Sequence, residues 1–509
     1  LIFSKKSHCF IIDPLCRNLL KEPRVKNIPK PLRTKVSVSV IAMMVSQAIN
    51  AGAFSLYTEG SPAAIGNFAA GIAAEAADAS IGWYNPAGLV LIKHQQAVLG
   101  GVGVFPSSKL TGVSTYTSIV PSSGGGIQPY PETFSGLSGA ESALVPSLHY
   151  ALPISETIVF GLSVVSPFGL STDYEPTSPV RYAATRSKLE TINVSPEFGW
   201  LLNDNISFGA GLDLQYARVT FNRIIGSPAL MTVAGFPATA IDSQTLNSGD
   251  SFAVGFHAGM MLMFNDKHTR LGVNFQSQMN HEFNGHSTLI GRLADPDTNF
   301  LDEPLDADAN ATFRSNNLYS NDIPLPEIIT VSGYHDLNTK WALLGSVVYT
   351  GWSPFKTISL NNIAVGLPDP DAEEPGTIIQ TTANNSVPQN FRNTWRFAAG
   401  ANYHVNERWM IRTGGGYDQT PTVISDRDVR LPDTNRWALS IGSHYQWRPN
   451  LGFDVGYTYL FAANDAIINN TSRISELSTY NVNAQGKSHA QLVGLQVVWK
   501  IDQEKIATK

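Results

Sequence analysis

Apolar and polar positions alternate along most of the chain with a period of two. Trp437, Leu439, Ile441, Tyr445 and Trp447 fall on one side of an extended segment, with Ser443 among them. Ala438, Ser440, Gly442, His444 and Gln446 fall on the other. After the short turn Arg448-Pro449-Asn450 the pattern resumes at Leu451, Phe453, Val455, Tyr457, Tyr459 and Phe461. Successive side chains on a strand point to opposite faces, so each of these strands has one oily face and one small or polar face. A soluble sandwich alternates too. Strands of about ten residues with aromatics at both ends are instead the length and decoration expected for crossing a bilayer.

The same reading places strands near residues 95–105, 144–152, 157–167, 189–200, 206–223, 251–264 and 269–284. Seven more fall near 326–336, 341–352, 392–404, 409–417, 436–447, 451–461 and 488–499, about fourteen in all. Tight turns at 153–156, 201–205, 265–268, 336–340, 405–408 and 448–450 alternate without exception with long connections. The long ones cover 106–143, 171–188, 224–250, 285–325, 353–391, 418–435 and 462–487. Short periplasmic turns and long external loops are the asymmetry of outer-membrane barrels, and an even strand number puts both chain ends in the periplasm. The final strand, with Val493, Leu495, Val497 and Trp499 outward, is expected to close against the first, because a closed sheet leaves no backbone edge unpaired in lipid.

Composition agrees with this. Charged residues are 15% of the chain, aromatics 10%, and there are 42 glycines. Mean hydropathy is near zero, as expected when half of each strand faces a wet interior, and no run of 18 apolar residues follows the leader. The net charge of -6 gives no electrostatic footprint for nucleic acid. Upstream, Lys30, Arg33 and Lys35 precede an apolar stretch that ends in small residues at Ser46 and Ala48. That is the form of a secretory signal peptide, with cleavage expected after Ala48 or Ala51. Residues 1–31 begin with Leu and hold both cysteines, Cys9 and Cys16. An over-extended reading frame is the expectation there, leaving a mature chain without thiol chemistry.

Between leader and first strand, the stretch 66–82 is rich in Ala and Gly, with Glu75 and Asp78 its only charges, and Trp83-Tyr84-Asn85-Pro86-Ala87 ends it in a turn. Such small residues suit close packing inside a barrel lumen. The expected organisation is therefore an extension and leader over 1–50, an N-terminal hatch over 51–93, a barrel over 94–500 and a charged tail over 501–509. Two further features are odd for their setting. The third strand runs into Ser166-Pro167-Phe168-Gly169, where proline removes a ladder donor and the strand should kink. The loop after the fifth strand carries Ile224, Ile225, Leu230, Met231, Val233 and Phe236, an apolar run unusual for a solvated loop.

Several motifs, taken in order, carry a family resemblance. They are Ala51-Gly52-Ala53-Phe54, Asn85-Pro86-Ala87, Val145-Pro146-Ser147-Leu148-His149-Tyr150 and Leu325-Pro326-Glu327. Tyr349-Thr350-Gly351-Trp352, Arg412-Thr413-Gly414, Asp418-Gln419-Thr420-Pro421 and Leu431-Pro432-Asp433 follow. Over residues 51 to about 500 the chain resembles the outer-membrane long-chain fatty-acid transporters of the FadL/TodX type. The resemblance implies an all-β, transmembrane antiparallel barrel of fourteen strands, occluded by an N-terminal hatch and acting as a single chain. It implies passive uptake of hydrophobic molecules, chiefly long-chain fatty acids, across an outer membrane of lipid and lipopolysaccharide.

By the same resemblance, Ile224, Ile225, Leu230, Met231 and Phe236 would belong to an external hydrophobic groove. Arg223 matches a pocket arginine and Phe54 a pocket phenylalanine. Lys356 lies two or three residues from a family lysine. The kink at Ser166, Pro167 and Gly169 would open the wall sideways. Parity puts Arg218 and Arg223 on opposite faces.

No HExxH, phosphate-binding glycine loop, nucleophile elbow or paired Cys/His metal spacing occurs, so neither an enzyme nor a cofactor is expected. The acidic stretch 369–374 reads as a solvated loop, with a calcium site as its alternative. Uptake of aromatic hydrocarbons, a surface receptor or adhesin, and a lipid-modifying barrel enzyme are the competing readings.

Overall fold

The computed structural model describes residues 54–120, 126–297, 299–369, 371–374 and 376–501. The leader, its cleavage sites, both cysteines and the tail after residue 501 lie outside the described residues.

Fourteen strands form the wall. They are β1 (Gln96–Val120), β2 (Ala143–Pro153), β3 (Ile158–Val165), β4 (Arg186–Asn203), β5 (Ile206–Ile225), β6 (Ser243–Phe264) and β7 (Thr269–Gln276). The remainder are β8 (Ile328–Asp336), β9 (Trp341–Thr350), β10 (Thr394–Asn406), β11 (Trp409–Asp418), β12 (Arg436–Arg448), β13 (Leu451–Ala462) and β14 (Ser478–Lys500). Each is antiparallel to the next. The sheet closes where β1 pairs with β14, from Gln96↔Lys500 to Ser118↔Ser478. All fourteen segments expected from alternation are present, and so are the six tight turns.

The loops were less legible. Several wall strands run on past the bilayer height, to 25 residues in β1 and 23 in β14. Beyond the wall they pair with outer strands at Gly126–Leu137, Asn284–Ile290 and Ala466–Arg473. A further hairpin joins Thr357–Pro368 to Ile378–Pro388. The expected structureless connections are thus largely β-structure.

The two faces of the wall obey the expected parity. Trp437, Leu439 and Ile441 are 49%, 63% and 58% exposed, whereas Ala438 and Ser440 between them are 3% and 7% exposed. Aromatic pairs ring the outer face at two heights. Trp341 meets Tyr403 at 4.6 Å near the short turns, and Tyr349 meets Trp395 at 5.1 Å eight positions further along the same strand pair. Eight residues of strand span about 26 Å, the height of an outer-membrane apolar band. Among the described residues no helix is long and apolar enough to cross a membrane.

Inside the wall, residues 56–92 are buried almost throughout. Ala64–Asn67 and Pro86–Leu91 form 3-10 turns and Ile81–Tyr84 a single helical turn. Inward-facing polar side chains from around the whole circumference hold this segment. Thr458 donates to the Ile65 carbonyl at 2.6 Å, and Ser346 accepts from the Gly71 amide at 2.8 Å. Asn402 donates to Glu75 at 2.7 Å, Gln276 to the Trp83 carbonyl at 3.1 Å and Ser207 to the Ala87 carbonyl at 2.8 Å.

Asn85 of the Asn85-Pro86-Ala87 triplet ties this segment together. Its Oδ1 accepts from the Ala87 amide at 3.1 Å, capping the second 3-10 turn. Its Nδ2 donates to Ala73 at 2.7 Å and to the wall carbonyl of Met260 at 3.1 Å. The small residues are needed because backbone touches backbone. A Cβ added at Gly442 would lie 2.6 Å from the Cα of Gly66.

Gly442→Val should therefore leave the wall assembled but prevent the inner segment from seating. The expected outcome is a barrel that still shows a heat-dependent mobility shift on gels and a higher ion conductance in planar bilayers. An unchanged conductance would show that the segment does not seal the bore at this point.

Candidate functional site

The third strand is interrupted where the sequence places Pro167. β3 pairs with β4 up to Val165↔Asn193, and pairing resumes at Gly169↔Glu190 in the short strand Gly169–Asp173. Four steps on one strand face three on the other, so one residue is extra, as in a β-bulge. Thr191 fills the gap with its side chain: Oγ1 accepts from the Phe168 amide at 3.0 Å and donates to the Phe168 carbonyl at 2.6 Å. On the other flank β2 pairs with β3 only over residues 148–153. Among the described residues, pairing between these two regions returns only at the single bridge Ala140↔Thr172.

The start of the described chain lies against this interruption. Ser55 bridges to Phe168, the Leu56 amide donates to Pro167 at 2.8 Å, and the Gly169 amide donates to Phe54 at 2.7 Å. Residues 54–56 thus act as a short inner strand, bonded to the backbone that the proline takes out of the ladder. Ser166, Pro167 and Gly169, expected from sequence to mark a kink, all lie at this break.

Phe54 points into an aromatic compartment. Its ring centroid is 4.7 Å from Trp352, 5.6 Å from Phe355, 6.1 Å from Phe391 and 6.4 Å from Phe168. Leu170, Leu189, Val219 and Val348 complete the same buried cluster. Edge-to-face ring pairs contribute about 0.5–1.5 kcal/mol each beyond area burial, so these contacts help to hold Phe54 in place.

Phe221 and Ile358 pack on this cluster and also line the cavity beside it. That cavity, of about 40 Å³, is walled by Arg223 and Arg430, by Asn385 and Gln389, and by aliphatic groups including Leu360, Ile363 and Val387. Arg223 faces inward on β5 while Arg218 is exposed, as parity requires. Among the described residues Arg223 makes no ion pair or side-chain hydrogen bond. Arg430 is committed to the Asp428 carboxylate and the Ala183 carbonyl.

A second, larger cleft of about 380 Å³ opens among the outer loops, lined mainly by aliphatic side chains including Ile119, Ile225, Leu230, Ile241, Leu367 and Leu477. Arg223, Ile363 and Asn385 line both spaces. The five residues expected to form an external groove divide here. Ile225 and Leu230 line the cleft, while Phe236 packs with them against the cluster beneath it, in which Met231 is fully buried. Ile224 is buried in a neighbouring cluster with Tyr116, Tyr182 and Tyr480. Residues 228–233 form a short helix, not an extended loop. Lys356 is exposed and lines neither space; its carbonyl accepts from the Gln389 and Asn390 amides.

Sequence reading missed Arg430, which lies in an otherwise ordinary loop, and it missed Arg181. Arg181 is only 2% exposed. It binds both oxygens of Glu132 at 2.9 Å and Asp242 at 3.1 Å, joining three outer segments. Burial opposes its charge, but its hydrogen bonds to Glu132 and the negative charge of Asp242 hold its pKa above the ordinary value. Burial pushes the Asp242 carboxyl up, against the pull of Arg181. Nothing local in the sequence marks either arginine, since their partners come from distant segments.

The family model described as outer membrane protein transport protein (OMPP1/FadL/TodX) matches residues 42–500. The long-chain fatty acid transport protein of Salmonella typhi is 28% identical over 441 residues, covering 85% of this chain and 92% of that protein. Among solved structures, a FadL homologue from Pseudomonas aeruginosa superposes with a TM-score of 0.71 at 24% identity, over 89% of this chain and 100% of that one. The Ralstonia pickettii toluene transporter TbuX gives 0.55 at 17% identity, over 86% and 98%. Both structural likenesses bear on the fold.

Removing one partner of a buried ion pair costs about 3–5 kcal/mol. Arg181→Ala should accordingly loosen the outer segments without affecting the wall. Hydrogen exchange in detergent should speed up across residues 126–137 and 174–185 and stay slow in β12 and β13. Equal protection in both regions would mean that the loops are held by packing alone.

Proposed function

The chain belongs to the OMPP1/FadL/TodX family of outer membrane transport proteins, and from that premise we propose that its cargo is a long-chain fatty acid, released sideways through the wall. It is an outer-membrane barrel that takes up hydrophobic molecules, not an enzyme. Residues 51–93 act as a hatch in the bore of a barrel over 94–500, and the single chain needs no partner to close its wall.

The apolar cleft among the outer loops collects the hydrocarbon. Each CH₂ withdrawn from water contributes about 0.8 kcal/mol, enough to draw ligand out of the lipopolysaccharide surface. The observation that carries the reading is the position of Arg223. It is a guanidinium without a carboxylate of its own, set where the outer cleft and the inner cavity share a boundary. A carboxylate handed from one to the other meets a cation that can grip both oxygens. The tail then enters the aromatic compartment by displacing Phe54, since those rings occupy the space an acyl chain would take.

Displacing Phe54 and the residues beside it strips the backbone partners from residues 167–169. The interruption beside β2 then opens toward lipid, and the ligand leaves into the bilayer without crossing the aqueous periplasm. A second reading is uptake of aromatic hydrocarbons. The ring-lined compartment favours it, the unpaired Arg223 does not, and a neutral cargo would be indifferent to that residue.

Uptake of labelled oleate by cells lacking their own transporter is the direct test. A charge-assisted hydrogen bond contributes about 1.5–3 kcal/mol. Arg223→Ala should therefore weaken oleate binding by roughly 10- to 100-fold and leave methyl oleate binding nearly unchanged. Equal losses for acid and ester would refute the carboxylate role. Pro167→Val should restore a ladder donor and depress uptake severalfold while oleate still binds to purified protein. Full uptake with a straightened strand would refute the lateral exit.

A further inference from the structure

The cavity beside Arg223 offers more hydrogen-bonding capacity than an unsubstituted fatty acid can use. Four amide side chains line it, and two are already committed. Asn247 donates from Nδ2 to the Phe221 carbonyl at 2.6 Å, and Asn222 Oδ1 accepts from the Asn247 amide at 3.1 Å. Asn385 and Gln389 differ. Neither makes a side-chain hydrogen bond among the described residues, yet both are half-buried and both line the cavity.

Their placement follows from strand geometry. Asn385 and Val387 share one face of the strand Ile378–Pro388, and Gln389 continues that face one residue past its end. The cavity therefore meets an amide, an aliphatic group and a second amide in turn, the amides about 13 Å apart. Asn385 also lines the outer cleft together with Arg223, whereas Gln389 lies deeper.

A carboxylate has two oxygens, and the Arg223 fork satisfies both. An acyl chain laid beside Asn385 and Gln389 would strip water from two primary amides and return nothing, a penalty of the kind incurred by any buried unpaired polar group. Each amide has two donor hydrogens and an acceptor oxygen, so a hydroxyl on the cargo matches it in both senses. Sites built to hydrogen-bond a hydroxyl discriminate strongly against the analogue that lacks it.

We propose that the preferred cargo is a hydroxylated long-chain fatty acid, with the carboxylate on Arg223 and the hydroxyl on Asn385 or Gln389. The proposal rests on the fatty-acid reading above and narrows it. A hydroxyl close to the carboxylate falls to Asn385, and a mid-chain hydroxyl to Gln389.

The test is equilibrium binding to purified protein in detergent, using 3-hydroxypalmitate against palmitate and 12-hydroxystearate against stearate. At least one hydroxy acid should bind tenfold or more tighter than its parent. Asn385→Leu should bring the first ratio to within twofold of one, or Gln389→Leu the second, according to which amide is used. Equal affinities of acid and hydroxy acid in the native protein overturn the proposal and leave the fatty-acid reading standing. So does a preference that survives both replacements. Failure of all four ligands to bind, with Arg223→Ala indistinguishable from the native protein, overturns both.

Discussion

A β-sheet in hydrocarbon has no water to complete its backbone hydrogen bonds, and every other feature of this molecule is arranged around that constraint. β1 and β14 lie far apart in sequence yet pair over almost their full lengths, because an open edge at either strand would leave a row of donors and acceptors in lipid. The wall strand β3 breaks between Val165 and Gly169. There the missing partners are supplied from inside, by the Thr191 hydroxyl and by the backbone of residues 54–56. A defect that would be costly elsewhere is stabilised here by another piece of the same chain.

Closing the sheet creates a second problem, a bore wide enough to leak. The N-terminal segment packs against the interior-facing side chains through hydroxyls, amides and glycines, and also through apolar contacts such as Ile65 and Phe68 with Val102 and Leu460, and Leu89 with Val98 and Val159. Near its base, Asp213 accepts from the His257 ring at 3.0 Å, from Ser195 at 2.6 Å and from Asn193 at 3.1 Å. Trp83 of the inner segment packs 5.6 Å from that His257 ring. Such polar contacts are specific yet individually modest, and they register the segment while apolar contacts with the wall add to its burial.

The apolar spaces adjoin one another. An outer cleft lined by aliphatic loop residues meets a cavity with cationic and amide groups, and that cavity abuts a compartment of aromatic rings touching the interruption in the wall. Arg181 holds the outer part together and Phe54 fills the inner part.

Alternation of side chains decided the wall before any coordinates were known. The period of two at Trp437 to Trp447, the tight turns and the aromatic ends fix strand number, face and register class, because lipid and lumen impose opposite demands on neighbouring residues. The break at Pro167 was legible from a missing N–H, and parity set Arg223 and Arg218 on opposite faces, but only the family resemblance pointed to Arg223 as the one facing the pocket. The pairing of Arg181 with Glu132 and Asp242, the second guanidinium of Arg430 and the free amides of Asn385 and Gln389 were not legible. So too the hairpins within the long connections, whose strands are stabilised by the extended wall beneath them. These depend on which distant segments closure brings side by side, and no local pattern encodes that. Sequence settled what each residue faces; only the closed structure settled what it meets there.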